Sequence, residues 1–253
     1  MKDETKQALL RDHHPDAIRK RLKLPAKSQH ISDAVLGGID GCVTTFAVVS
    51  SVVGAGLPAS IALILGFANL LADGFSMAVS NYESVKADTE FNQGLRFIEE
   101  EHIDKVPEGE REEIRQIFQA KGFSGETLEK IIDTITQDRQ LWVETMLTEE
   151  HGIKISTSSP LKAATATIVA FICVGVIPLL PFFIRALEMH QQFIVSTIFA
   201  GVMFFSIGAI KGRVFMKPTF VSGLSTLLTG GTAAGLAFLA GYLLRNAFGI
   251  EGI

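Results

Sequence analysis

A chain of 253 residues with 47% apolar residues, a mean hydropathy of +0.32 and its 20% of charged residues gathered into a few stretches does not have the make-up of a soluble globular protein. The formal net charge of -4 combines a basic N-terminal arm with a strongly acidic middle, and nothing in either block reads nucleic acid: the acidic segment would repel phosphate. The two cysteines, Cys42 and Cys173, lie in apolar runs and supply neither a disulfide framework nor a zinc pattern.

The first 30 residues carry Arg11, Asp12, His13, His14, Arg19, Lys20, Arg21 and Lys23 without an apolar core, so they read as a basic cytoplasmic arm and not as a cleavable signal peptide. Five stretches then reach the ~20 apolar residues that a helix needs to cross a bilayer, at 31–53, 57–79, 161–184, 193–210 and 220–244. Pro178 and Pro181 should bend the third of these, because each removes a backbone donor. The last is rich in small residues, among them Gly223, Gly230, Gly231, Gly235 and Gly241, which lets helices approach closely in lipid.

The expected architecture is an all-α, polytopic membrane protein with five transmembrane helices and a cytoplasmic three-helix insert. Its segments are an arm at 1–30, two spans at 31–80, the acidic helical insert at 81–158 and three spans at 159–253. The insert reads as helices near 82–104, 109–121 and 125–151, separated by turn signals at Val106 and Pro107 and at Gly122 to Gly125, with Ser124 placed to cap the third. Lys and Arg accumulate on the cytoplasmic side of membranes, and the arm and the loop carrying Lys211, Arg213 and Lys217 are basic while the 53–58 turn is uncharged. Arm and insert are therefore expected in the cytosol and the C-terminus outside; the absence of a targeting signal points to a bacterial plasma membrane.

An ionisable side chain at the bilayer centre costs at least ~2.5 kcal/mol, so its presence needs a reason. Asp33 and Asp40, seven residues apart, share one face of the first span, and Asn69, Asp73 and Met77 form a stripe along the second. Together they would make a polar track of oxygen and sulfur ligands, suited to Fe²⁺, Mn²⁺ or Co²⁺ more than to Mg²⁺ or Ca²⁺. The competing reading makes Met77 a packing residue and Asp33 a helix cap. In the insert, Glu99 with His102, Glu110 with Glu113, and Met146 with Glu150 are pairs three or four apart that could each chelate one cation. The competing reading there is a solvated acidic face in which Arg111 and Arg115 pair with the glutamates.

The runs from Asp33 to Gly41 with Thr44 to Val49, from Ala72 to Ala78, and from Gly208 to Gly212 resemble the signatures of the vacuolar iron transporter family, a likeness covering nearly the whole chain after residue 30. The resemblance implies proton-coupled antiport of ferrous iron or manganese, a homodimer, a metal path through Asp40 and Met77 at the dimer interface, and a cytoplasmic metal-binding domain using Glu99, Glu110, Glu113, Met146 and Glu150. His102, Leu147, Asn69 and Asn81 depart from the family pattern, where the corresponding residues are glutamate, methionine, an acidic residue and often glutamate.

The function expected from these readings is export of Fe²⁺ or Mn²⁺ from the cytosol by a membrane protein with no enzyme activity and no prosthetic group. Its partners are divalent metal ions, protons and the lipid bilayer, together with a second copy of the chain; nucleic acid is not among them. Two other classes compete. A membrane-anchored ferritin-like di-iron oxidase is suggested by the Glu99 to His102 motif but needs a second such motif and four helices. A metal sensor that binds without transporting leaves the intramembrane aspartates unexplained.

Overall fold

In a computed structural model, described for residues 2–23, 29–153 and 159–249, all regular structure is helical. The chain order is α1 (Lys2–Asp12), α2 (Pro15–Lys23), α3 (Gln29–Gly54), α4 (Ala59–Lys105), α5 (Pro107–Ala120), α6 (Gly125–Gln137), α7 (Arg139–Glu149), α8 (Pro160–Gly175), a 3-10 helix (Ile177–Phe183), α9 (Met189–Val214) and α10 (Thr219–Phe248). Five helices are long and apolar enough to span a membrane: α3, α4, α8 with the 3-10 helix, α9 and α10. The chain forms two compact units, one of residues 1–79 and 162–253 and one of residues 80–161.

The spanning unit is held by close backbone approach. A Cβ on Gly37 or Gly41 would collide with the carbonyls of Thr167 and Phe171 on α8, and one on Gly241 with the Ser51 carbonyl on α3. Between α9 and α10, a Cβ on Gly208 would lie 2.7 Å from the Ser222 carbonyl oxygen and 2.8 Å from Gly223 Cα. Where lipid removes the hydrophobic drive for association, such contacts let dispersion and weak polar contacts hold helices together. The space beside Asp40 at Gly41 is thus filled by α8.

Pro178 and Pro181 do more than bend the third span: the α-helix ends at Gly175 and the remainder is 3-10. Two buried residues of α9 attend to that segment's carbonyls, Ser196 Oγ donating to Pro178 O at 2.6 Å and Gln192 Nε2 to Ile184 O at 3.1 Å. A capping box of Glu188 and Gln191 starts α9 four residues before the expected span.

The second unit corrects the expected three helices to four helical segments. Its first is the C-terminal part of α4, which continues through residues 80–105 instead of starting afresh near 82. The expected 125–151 helix is two, because Asp138 accepts hydrogen bonds from the N–H groups of Gln140 and Leu141 at 3.0 and 3.2 Å and so caps a new helix, α7. Ser124 stands at the N-cap of α6 without a side-chain cap bond. The core joins Ile103, Ile114, Leu128, Ile132, Ile135, Trp142, Val143, Met146 and Leu147, while the neighbouring Leu141 is exposed.

The glycine contacts give a stability prediction. Gly208→Ala should lower the unfolding free energy in detergent by about 1–3 kcal/mol through overpacking, whereas Gly231→Ala, with open space at its Cβ, should not. Equal melting temperatures for the two variants would show that the α9–α10 contact does not limit stability.

Candidate metal centre

The acidic residues of the second unit divide into two populations. On the outside, carboxylates are matched by arginine or lysine: Asp104 by a two-pronged Arg139, Asp133 by Arg111 at 2.7 Å, Glu112 and Glu129 by Arg115, Glu101 by Lys105 and Glu149 by Lys121. Arg111, expected among the glutamates, thus reaches an aspartate and Thr136 instead. Pairs of this exposed kind contribute little individually.

On the inside stand Glu99 and Glu110, each only 2% exposed, and among the described residues no lysine or arginine reaches them. Their ion-pair partners are histidines. His151 Nε2 lies 2.8 Å from Glu99 Oε1 and 3.7 Å from Glu150 Oε2, while His102 Nδ1 lies 3.3 Å from Glu110 Oε1. The second oxygen of each glutamate, Oε2, is buried with no hydrogen-bond partner among the described residues. A buried carboxylate left so is costly unless a proton or a cation joins it.

The electrostatics follow. Burial pushes the Glu110 carboxyl up to about 7, helped by the negative charges of Glu113, Glu99 and Glu150 and opposed by His102. Glu150 is raised by burial and then by Glu113 and Glu99. His151 is raised chiefly by its hydrogen bond to Glu99. Glu113 is itself exposed, so it reaches the cluster through its charge.

Two groups of three ligand atoms converge to within 4.8 Å of one another, Glu99 with Glu150 and His151, and Glu99 with His102 and Glu110. Glu99 belongs to both. Carboxylate oxygen with imidazole nitrogen is a donor set for borderline divalent transition metals. Met146, expected as a ligand, is fully buried in the apolar core. His151 was not anticipated. It lies beyond the end of α7, where Gly152 at φ +66° turns the chain so that Ile153 N–H reaches the Leu147 carbonyl at 2.9 Å and Ile153 packs on the core. A histidine directly after Glu150 was the available signal, but its partner lies 52 residues away.

In the spanning unit, Asp40 and Asp73 are close enough for their charges to interact. Asn69 and Asp73 line an open cleft of about 450 Å³ with Val48, Ser51, Val52, Leu65, Ala68 and Ala72. Asp40 and Met77 are not among its lining residues; Met77 instead packs against the cluster of Val49, Leu70, Phe171 and Leu179. Asp33 lies near the start of α3 with His30 Nδ1 at 3.8 Å. The stripe along α4 is thus divided between a cleft and an apolar contact.

Comparison with known proteins gives a consistent picture. The model of the VIT family matches residues 31–242. The chain is 30% identical over 231 residues to a vacuolar iron transporter of Toxoplasma gondii, covering 88% of this chain and 76% of that protein. It is 29% identical to vacuolar iron transporter 2 of Oryza sativa, covering 94% of each, and 28% identical to vacuolar iron transporter 1 of Arabidopsis thaliana, covering 95% and 94%.

Trp142, the one tryptophan of the chain, is buried in the core of the second unit and reports on it within the whole protein. Glu110 has its folded pKa raised from 4.5 to about 7, so the folded state holds a proton that the unfolded state has lost. Metal-free stability should therefore fall by up to about 3 kcal/mol as pH rises from 4.5 through 7, and Glu110→Gln should flatten that fall. Denaturant titrations followed by Trp142 emission test this; a fall of the same size in the variant would remove Glu110 as its cause.

Proposed function

The chain belongs to the VIT family of metal transporters, and from that premise we propose that it exports Fe²⁺ or Mn²⁺ from the cytosol in exchange for protons, working as a homodimer. In the proposed cycle, metal is collected by Glu99, Glu110, Glu150, His102 and His151, with Glu113 adding charge, and crosses the spanning unit past Asp40 and Asp73. The observation that carries the reading is the pair of buried carboxylates, Glu99 and Glu110, which no lysine or arginine reaches among the described residues, while exterior acids such as Asp104, Asp133 and Glu129 are matched. Structural acids are paired; ligand acids are kept open for a cation.

Proton coupling is supported by the same residues. Metal ligands bind as deprotonated groups, so a carboxyl lifted to about 7 exchanges a proton for metal near neutral pH. Asp40 and Asp73 supply carboxylates inside the bilayer that can carry either a proton or part of a cation's coordination.

The dimer is supported by the position of Asp73. It is exposed on α4 in the spanning unit, beside the open cleft, and a carboxylate facing lipid is costly. A second copy covering that face would turn the cleft into an enclosed polar passage. The orientation follows the basic residues: Lys211 and Arg213 in the last turn of α9 and Lys217 after it mark one cytosolic edge, and the basic arm before α3 marks another.

Reconstituted into proteoliposomes, the protein should accumulate Fe²⁺ or Mn²⁺ in response to a pH gradient, and Asp40→Asn should reduce that flux at least tenfold. The same variant should keep the metal-induced rise in the Trp142 unfolding midpoint, since its change lies in the other unit. Flux equal to the parent's takes Asp40 out of the path, and flux indifferent to the gradient overturns the antiport reading.

A further inference from the structure

The transport reading uses the basic arm only to mark orientation, yet the arm has its own order. In α2 the apolar side chains Ile18 and Leu22 are four residues apart and share a face with Pro15. Arg19 and Arg21 fall on either side of that face and Lys20 falls opposite it. Among the described residues the face is left partly open: Leu22 is 80% exposed and Ile18 half-buried, and Leu9 and Leu10 of α1 are also exposed.

An isolated apolar stripe rimmed by guanidinium groups fits a surface that offers negative charge and accepts hydrocarbon in the same few ångströms. The boundary of an anionic bilayer is such a surface. Position adds to the match, because the first membrane-spanning helix begins at His30. The six residue steps from Lys23 to Gln29 reach at most about 20 Å even if fully extended. The stripe is thereby confined close to the lipid headgroups.

We propose that α2 is an interfacial helix, lying on the anionic leaflet at the start of the first span with Ile18 and Leu22 inserted between headgroups and the flanking Arg19 and Arg21 bound to lipid phosphates and carboxylates. Each basic residue near such a surface raises the local concentration about fivefold, so the two flanking arginines dominate the partitioning. Ile18 and Leu22 alone bury too little area to hold the helix there.

The test uses the full chain in nanodiscs. Leu22→Trp adds a second indole, read as the difference from the parent, whose one tryptophan is Trp142. In discs of phosphatidylserine with phosphatidylcholine, bromine on the acyl chains should quench the new emission at least about twofold, and in phosphatidylcholine alone much less. Adding R19E, K20E and R21E to Leu22→Trp should abolish the difference between lipids, while metal flux of the same variant in proteoliposomes shows the protein folded. Equal and weak quenching in both lipids overturns the proposal, as does strong quenching that survives the charge reversal or a Leu22→Trp signal buried against another protein.

Discussion

A carboxylate taken out of water must be joined by a proton, a cation or a set of hydrogen bonds, and this constraint organises the second unit. Glu99 and Glu110 sit at the edge of a core made by Ile103, Ile114, Trp142 and Met146, so the apolar packing that folds the unit also strips water from its acids. The arginines that could have neutralised them are spent on the outside. Arg139 grips Asp104 and the Glu100 carbonyl, fastening the α6–α7 junction to α4, while Arg111 and Arg115 tie α5 to α6. The pairs that tie helix to helix and the acids that lack cations are therefore separate sets of residues.

The spanning unit meets the same constraint with different means. Its helices approach through glycine, which lets backbone meet backbone at Gly37 and Gly41 between α3 and α8 and at Gly208 between α9 and α10. Polar groups there are mostly turned back on the backbone, as Thr44 Oγ1 is to the Asp40 carbonyl at 2.9 Å and Ser50 Oγ to the Phe46 carbonyl at 2.7 Å. Asp40 and Asp73 are carboxylates and can be satisfied only by a donor or a cation, which sets them apart from the hydroxyls around them.

Much of this was legible in the chain. Spans announce themselves because the bilayer demands ~20 apolar residues in a row, and the five were placed with only their ends displaced. The break at Asp138 was not seen because apolar residues continue across it at helical spacing, and one capping side chain decides the matter. Which glutamate of the run Glu99, Glu100, Glu101 turns inward depends on how α4 packs against α7, a long-range contact that local spacing cannot supply. His151 was hidden for the same reason. The spacing of Met146 from Glu150 places the two on one side of α7 without saying that the methionine also packs into the core.

The donor set bears on what kind of binding the unit can offer. Glu99 with either Glu110 or Glu150 would hold a divalent cation tightly if both were ionised, and a site that never releases its ion cannot feed a transporter. Burial works against that outcome: with Glu110 raised to about 7 and Glu150 raised as well, protons compete for the ligands near neutral pH. His151 acts in the same sense, since its bond to Glu99 must be rearranged before both groups can turn to a metal. Each competitor lowers affinity and makes release responsive to protons, which is the behaviour that proposed exchange of metal for protons requires of its first binding step.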